Sequence, residues 1–368
     1  MRRIRKIIFW LHLTAGVSAG AIILVMSVTG ILLTYERQLS EWADGFDVKP
    51  PEGGATIGLE QLLVARVGTS PSPTAILVSH APAAPVSLQF GKSKSEYIDP
   101  FSGKLLGEGN QTVRGLFRSV LMWHRYLGRE GATQPVGKAI IGAGNLIFLV
   151  LVVSGLFLWC PRQWSRPGLR AVTLFQRRLK GRARDWNWHH VLGFWFAIPL
   201  LLIAASGIVM SYPWANALIF RLAGESPPPV IRQPPGKEPR ELRPETLVGI
   251  DAALATVKYA NPGWQTIQLQ LPPTKTALFS VADSHRGRPD QRRQVTVDLG
   301  SAHILTCEGM ETQSPARRTR TWLRWIHTGE AGGLAGQTIA GLASAAATLL
   351  VWTGLALSWR RLARKRAR

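Results

Sequence analysis

Two histidines lie inside stretches that are otherwise apolar, His12 within residues 9–35 (FWLHLTAGVSAGAIILVMSVTGILLTY) and His189 within residues 188–212. Each stands four residues before a glycine (Gly16, Gly193) and eighteen before another (Gly30, Gly207), and each stretch closes on a tyrosine, Tyr35 or Tyr212. One offset of 177 residues superimposes all four landmarks. An imidazole in hydrocarbon is costly unless it is partnered, so two at matching depth read as functional first and as packing second. Two further histidines, His124 and His327, close an amphipathic and an aromatic segment that each precede another apolar stretch; the second match needs a four-residue length difference. A neutral imidazole nitrogen is a good axial ligand to haem iron, and one imidazole on each face gives a centre suited to electron transfer rather than oxygen binding. His12 with His189 at one depth, and His124 with His327 at another, suit two b-type haems stacked across a membrane. His190 adjoins His189 and stands as the alternative ligand. His80, His285 and His303 lie in loops or strands without counterparts and read as surface residues. One zinc or iron ion shared by all four histidines conflicts with the depth separation.

The elements that must position these side chains are membrane helices. The chain has 368 residues, 46% of them hydrophobic, and a formal charge of +22. Nucleic acid is the partner such a charge first suggests, but residues 1–6, 161–187 and 360–368 hold 4, 8 and 6 of the 44 Lys and Arg, with Asp185 the only acid among them. All three pieces abut apolar runs, as cytoplasmic flanks do under the positive-inside rule, so the charge reads as topological. The opening apolar run outlasts a secretory h-region and reads as an uncleaved span. Tryptophans 10, 159, 186, 188, 214 and 359 cluster at span ends, as interfacial anchors do. Cys160 and Cys307 are expected on opposite sides of the membrane, and there is no CxxCH attachment, zinc pattern or GxGxxG fingerprint.

These features divide the chain into a first span (1–36), a soluble module (37–112), an amphipathic helix with a second span (113–160), a basic cytoplasmic loop (161–187), a third span (188–214) kinked at Pro199, a Pro-rich linker with a second module (215–317), a histidine segment with a fourth span (318–359), and a basic tail (360–368). Gly128, Gly131 and Pro135 are expected to break the amphipathic helix before a second span that begins at Ala139. In the first module, Leu59 to Val67 fits a helix, Ala75 to Ser79 and Val86 to Phe90 fit strands, and EYIDPFSGKLLGE fits a hairpin around Asp99-Pro100-Phe101-Ser102-Gly103. In the second, Leu247 to Tyr259 fits a helix, Thr266 to Leu271 and Ala277 to Ala282 fit strands, and Gln294 to Leu305 fits a hairpin around Asp298-Leu299-Gly300. The expected fold is a membrane protein of four transmembrane helices in two tandem pseudo-symmetric halves, with two small α+β modules outside. Parallel repeats of this kind imply a two-fold axis along the membrane normal.

The H-x-x-x-G openings at His12, His124 and His189, the hairpin YIDPFSGKLLGE and its echo TVDLGSAHILT resemble the PepSY-associated transmembrane family over nearly the whole chain. Within it the chain is most similar to the inner-membrane dihaem ferric-siderophore reductases of the ferrioxamine type. That resemblance implies an oxidoreductase with two haem b groups, held by His12 and His189 on the inner side and by His124 and His327 on the outer side. It also implies PepSY-like periplasmic modules, termini in the cytoplasm of a bacterial inner membrane, and a ferric siderophore as substrate. No side chain is assigned a catalytic role beyond these haem-iron ligands. With no nucleotide fingerprint in the chain, the electron donor is expected to be a cytoplasmic flavoprotein or a quinol. Membrane lipid is the other expected partner, and nucleic acid is not one. The competing expectation is a non-enzymatic accessory protein whose outer modules bind a peptide or a siderophore-uptake partner while the histidines only pack.

Overall fold

The computed structural model describes residues 2–46, 48–51, 54–81, 84–91, 94–161, 164–228, 241–284 and 288–366. In chain order the helices are α1 (Arg2–Leu33), α2 (Glu36–Asp44), α3 (Leu59–Val64), α4 (Gln111–Tyr126), α5 (Gln134–Trp159), α6 (Arg166–Thr173), α7 (Gly181–Trp195), α8 (Ala197–Ser211), α9 (Pro213–Leu222), α10 (Ile250–Ala260), α11 (Pro315–Thr328) and α12 (Gly333–Arg366). The strands are β1 (Ala75–Ser79), β2 (Val86–Phe90), β3 (Lys94–Ile98), β4 (Leu105–Gly107), β5 (Thr266–Gln270), β6 (Thr276–Ala282), β7 (Arg292–Asp298) and β8 (Ile304–Glu308). They form a helical unit drawn from Met1–Glu36, Gly115–Ser226 and Thr319–Arg368, and a sheet unit drawn from Arg37–Arg114 and Pro227–Arg318. The middle of the Pro-rich linker and His285 lie outside the described residues.

In the helical unit, α1, α5 and α12 are each long and apolar enough to cross a membrane, and α7 with α8 qualifies if the pair counts as one span. The third span, expected to kink at Pro199, is two helices, α7 and α8, bent by 67° at Phe196. Proline explains the site of the break. Pro199 lacks an N–H and its ring collides with the carbonyl four residues back, so it is tolerated only in the first turn of a new helix, where α8 places it. Pro135 behaves likewise: rather than breaking a helix, it starts α5 at Gln134, five residues ahead of the expected Ala139.

The basic stretch 161–187 is also more ordered than a loop. It contains α6, capped by the Ser165 hydroxyl, which accepts from the Gly168 N–H at 3.2 Å. Its last residues form the first turns of α7. The buried Asn187 amide ties the two together, accepting from the Gln176 N–H at 3.0 Å and donating to the carbonyls of Ala171 (2.8 Å) and Leu174 (3.0 Å). Buried Asp185 meets Arg184 at 3.0 Å and Arg360 at 2.6 Å, which joins α7 to the end of α12. Small residues let the long helices approach: a Cβ on Gly144 of α5 would lie 2.5 Å from the Ile22 side chain of α1.

The two expected soluble modules are two halves of one sheet. Its order is β4-β3-β2-β1-β5-β6-β7-β8, antiparallel throughout, with β1 paired to β5 at the centre and Leu77 opposite Gln268. Outward from that central pair the strands follow in sequence order on each side, β2, β3 and β4 in one half and β6, β7 and β8 in the other. Alternating residues such as Leu269, Phe279, Val281, Val295 and Val297 point into one core, which Leu59, Leu63, Ile250 and Val257 of α3 and α10 complete. The helices cap each other reciprocally. Asp251 accepts from the N–H groups of Leu59 (2.6 Å) and Glu60 (3.3 Å), and Glu60 accepts from those of Gly249 (2.9 Å) and Asp251 (3.2 Å). Both hairpin turns are held by their aspartate: Asp99 accepts from the Phe101 N–H and the Ser102 hydroxyl, and Asp298 from the Ser301 N–H and hydroxyl.

Candidate functional site

All four histidines singled out by spacing belong to the helical unit, and the structure brings them together as two pairs. The rings of His12 and His189 have centroids 6.5 Å apart and stand at 88°; those of His124 and His327 are also 6.5 Å apart, at 63°. Along the single helix α1, His12 lies 17 residues before Thr29, which bonds His124, so the two levels are separated by about 26 Å of helix.

Each histidine docks on another helix in the same way. The Nδ1 of His12 bonds Ser154 (2.8 Å), that of His189 bonds Thr353 (2.9 Å), that of His124 bonds Thr29 (2.9 Å), and that of His327 bonds Ser206 (3.1 Å). The next residue is always glycine. Gly155, Gly354, Gly30 and Gly207 lie so near the imidazoles that a Cβ would meet the ring Cε1 at 3.4, 3.3, 3.8 and 3.2 Å respectively. The histidine spacing marks Gly30 and Gly207, but not Gly155 or Gly354 and not the hydroxyl before each glycine. The signal was present, as a Ser/Thr-Gly dipeptide in each of α1, α5, α8 and α12.

The hydroxyls decide the tautomer. Ser154, Thr353, Thr29 and Ser206 each donate their proton to the carbonyl four residues back on their own helix, at 2.6 to 2.7 Å. They are therefore left to accept from the imidazoles. For His327 the Nδ1 also reaches the Ile203 carbonyl at 3.0 Å, which can only accept. In all four rings Nδ1 carries the hydrogen and Nε2 keeps its lone pair, the state of a histidine prepared to ligate a metal. His190 differs: its Nδ1 bonds the Trp186 carbonyl of its own helix at 2.9 Å and its ring lies 4.1 Å from the Trp186 ring.

Around His12 and His189 the helices leave a cavity of about 1230 Å³, walled by Phe148, Leu151, Val152, Leu200 and Leu350 and by Gly16 and Gly193, with Arg5, Lys6, Arg182 and Arg361 also lining it. That exceeds the roughly 300–1,000 Å³ of an ordinary small-molecule site. Two metal–nitrogen bonds of about 2 Å, plus about 1.1 Å from each nitrogen to its ring centre, put two imidazoles on one iron about 6.2 Å apart, close to both observed spacings. Among the described residues no cluster of three or more His, Cys, Asp or Glu could hold a metal ion. Two-histidine sites therefore fit an iron whose remaining ligands come from a porphyrin better than they fit a protein-bound zinc. The residues fit the group: apolar walls for the macrocycle, cations for its carboxylates, and two imidazoles with free Nε2 atoms.

A family profile described as PepSY-associated TM region matches residues 9–361. The chain belongs to this family. The match spans all four histidines and both halves of the sheet, so the PepSY-associated assignment covers the complete site and not one helix of it. No curated protein matches the chain. In this PepSY-associated chain Gly128, expected to break the amphipathic helix, ends α4 with φ +69° while its N–H bonds the Met122 carbonyl at 3.2 Å. That turn also contains the length difference between the repeats: seven residues separate His124 from the short 3-10 helix at Gly131, and three separate His327 from the one at Glu330. Trp123, next to His124 in sequence, is exposed on α4.

Proposed function

We propose that this PepSY-associated membrane protein is an electron conduit that carries two b-type haems and delivers electrons to a ferric siderophore, which releases its iron once reduced. The observation that supports this reading is the four-fold repetition of one device, a histidine docked by Nδ1 on a Ser/Thr-Gly step with Nε2 left unshared. His12 and His189 would hold one haem and His124 and His327 the other, with His189 preferred over His190 because only His189 is received by such a step. Two imidazole ligands would suit each haem to one-electron exchange, and these residue pairs at two depths would place two such groups along a route through hydrocarbon.

The chain's own residues do the rest. The hydroxyls fix each imidazole's tautomer and orientation and raise its basicity. Arg5, Lys6, Arg182 and Arg361 offset acidic groups at the inner cavity. Leu200, Ala343 and Ala347, with Phe148, Val152 and Ile203 packed against them, form a dry core in the bundle and keep water and protons out of the route. In the overall reaction one electron from a cytoplasmic flavoprotein or a membrane quinol converts Fe(III) to Fe(II). Hard oxygen donors hold the smaller, higher charge far better, so the reduced metal leaves the chelator.

The reading is tested by reducing the purified protein with dithionite, removing the excess, and adding a ferric hydroxamate with a ferrous trap. Reoxidation of the Soret and α bands, with one ferrous ion trapped per electron, is expected. A colourless preparation, or bands that only oxygen reoxidises, would refute it and favour the accessory role.

A further inference from the structure

The sheet unit carries a second cavity, of about 470 Å³, where the end of β1 meets α10. Its polar lining is one-sided. Lys258 on α10 places its ammonium 5.2 Å from the Trp264 ring centre, His80 stands edge-on to the same indole at 4.9 Å, and Val78, Val86 and Leu254 supply apolar wall. Asp251 also lines the cavity and its carboxylate acts on Lys258 through space, while its two oxygens accept from the N–H groups of Leu59 and Glu60. Lys258 is a half-buried cation with no ion-pair partner among the described residues, and burial holds its proton affinity below the ordinary lysine range.

Internal symmetry gives this polar set no counterpart in the first half of the sheet unit. An offset of 191 residues superimposes α3 on α10 and β1 on β5. In sequence it sets Lys258 against Val67, in the turn after α3, Trp264 against Pro73 and His80 against Leu271, so the first half has apolar residues at the three matching positions.

We infer that this cavity is a binding site for a small organic anion, a carboxylate on a compact apolar or aromatic body, with Lys258 pairing the charge and Trp264 stacking on the body. The Lys258 ammonium beside the Trp264 indole offers a partner for negative charge on an apolar body, and a volume below 500 Å³ admits a body of about one ring. The site lies wholly within the sheet unit, and its test uses no redox readout, so it stands or falls apart from the haem reading.

The test is calorimetric or ligand-observed NMR titration of the full chain in nanodiscs with benzoate, benzamide and benzylamine, which share a shape and differ in charge. Saturable binding of benzoate in the millimolar range or tighter is expected, with benzamide at least tenfold weaker and benzylamine unbound. Lys258→Gln should weaken benzoate at least tenfold and leave benzamide unchanged, with an unaltered thermal midpoint showing that the variant is folded. His80→Ala, at the mouth, should weaken benzoate by a smaller factor. Equal affinity for benzoate and benzamide, no saturable binding of benzoate up to about 10 mM, or a folded Lys258→Gln protein that binds benzoate like the parent would each overturn the inference.

Discussion

At the scale of single residues, the histidines are legible in the sequence because burying an imidazole in an apolar helix needs a reason, and matched spacing supplies one. Their receivers are not legible, because Ser and Thr in a membrane helix satisfy themselves on their own backbone and leave no trace in hydropathy. Yet the hydroxyl sets how strongly an axial histidine donates. Replacing Thr353 by Val, alone or with Ser154→Ala, removes an acceptor from Nδ1, makes the imidazole a poorer donor to ferric iron, and should raise the midpoint potential of the inner centre while haem content stays the same. Potentiometric titration checks this, and an unmoved potential would mean that these bonds only pack. A second expectation concerns the hairpin turns. The Phe101 N–H and the Ser102 hydroxyl hold the Asp99 carboxyl below the usual range, and the Ser301 hydroxyl and N–H do the same for Asp298. Groups with depressed folded values contribute stability above the unfolded value of about 3.9 and lose it as pH falls through the folded one. Amide protection in β3, β4, β7 and β8 should therefore fall below about pH 4, and an Asp99→Asn/Asp298→Asn protein should show a smaller acid-dependent loss. Equal losses in the two proteins would remove the turns from the account.

At the scale of elements, period and punctuation gave most boundaries. The first two strands fall where alternation places them, because inward residues such as Ile76 and Leu88 must reach one core. The kink expected at Pro199 is a full break between α7 and α8, and its 67° bend leaves no mark in hydropathy because the apolar run continues through it. The basic stretch 161–187 contains α6 and the anchoring amide of Asn187, which its arginines hide from a hydropathy pattern. Reciprocal capping of α3 and α10 also lay beyond local pattern, since each acidic residue serves a helix some 190 positions away. Asp251→Ala leaves the Leu59 and Glu60 N–H groups without that acceptor and should cost about 1–2 kcal/mol, seen as faster amide exchange at the start of α3. Unchanged exchange there would show that water replaces the carboxylate at no cost.

At the scale of the whole molecule, the doubled sequence predicts a doubled structure, and both units keep the pairing of halves: two cross-half histidine pairs in one, a central β1–β5 pair in the other. That the two soluble stretches share one sheet could not be read from sequence, because pairing between strands some 190 residues apart leaves no local mark. The central claim is that the imidazoles of opposite halves share a porphyrin at each level, and it is tested most directly by pyridine haemochrome assay of haem per chain. The account predicts two b-type haems per chain, falling to one in His12→Ala with the outer centre retained. A folded parent protein with no haem, or a His12→Ala protein that keeps both, would contradict it.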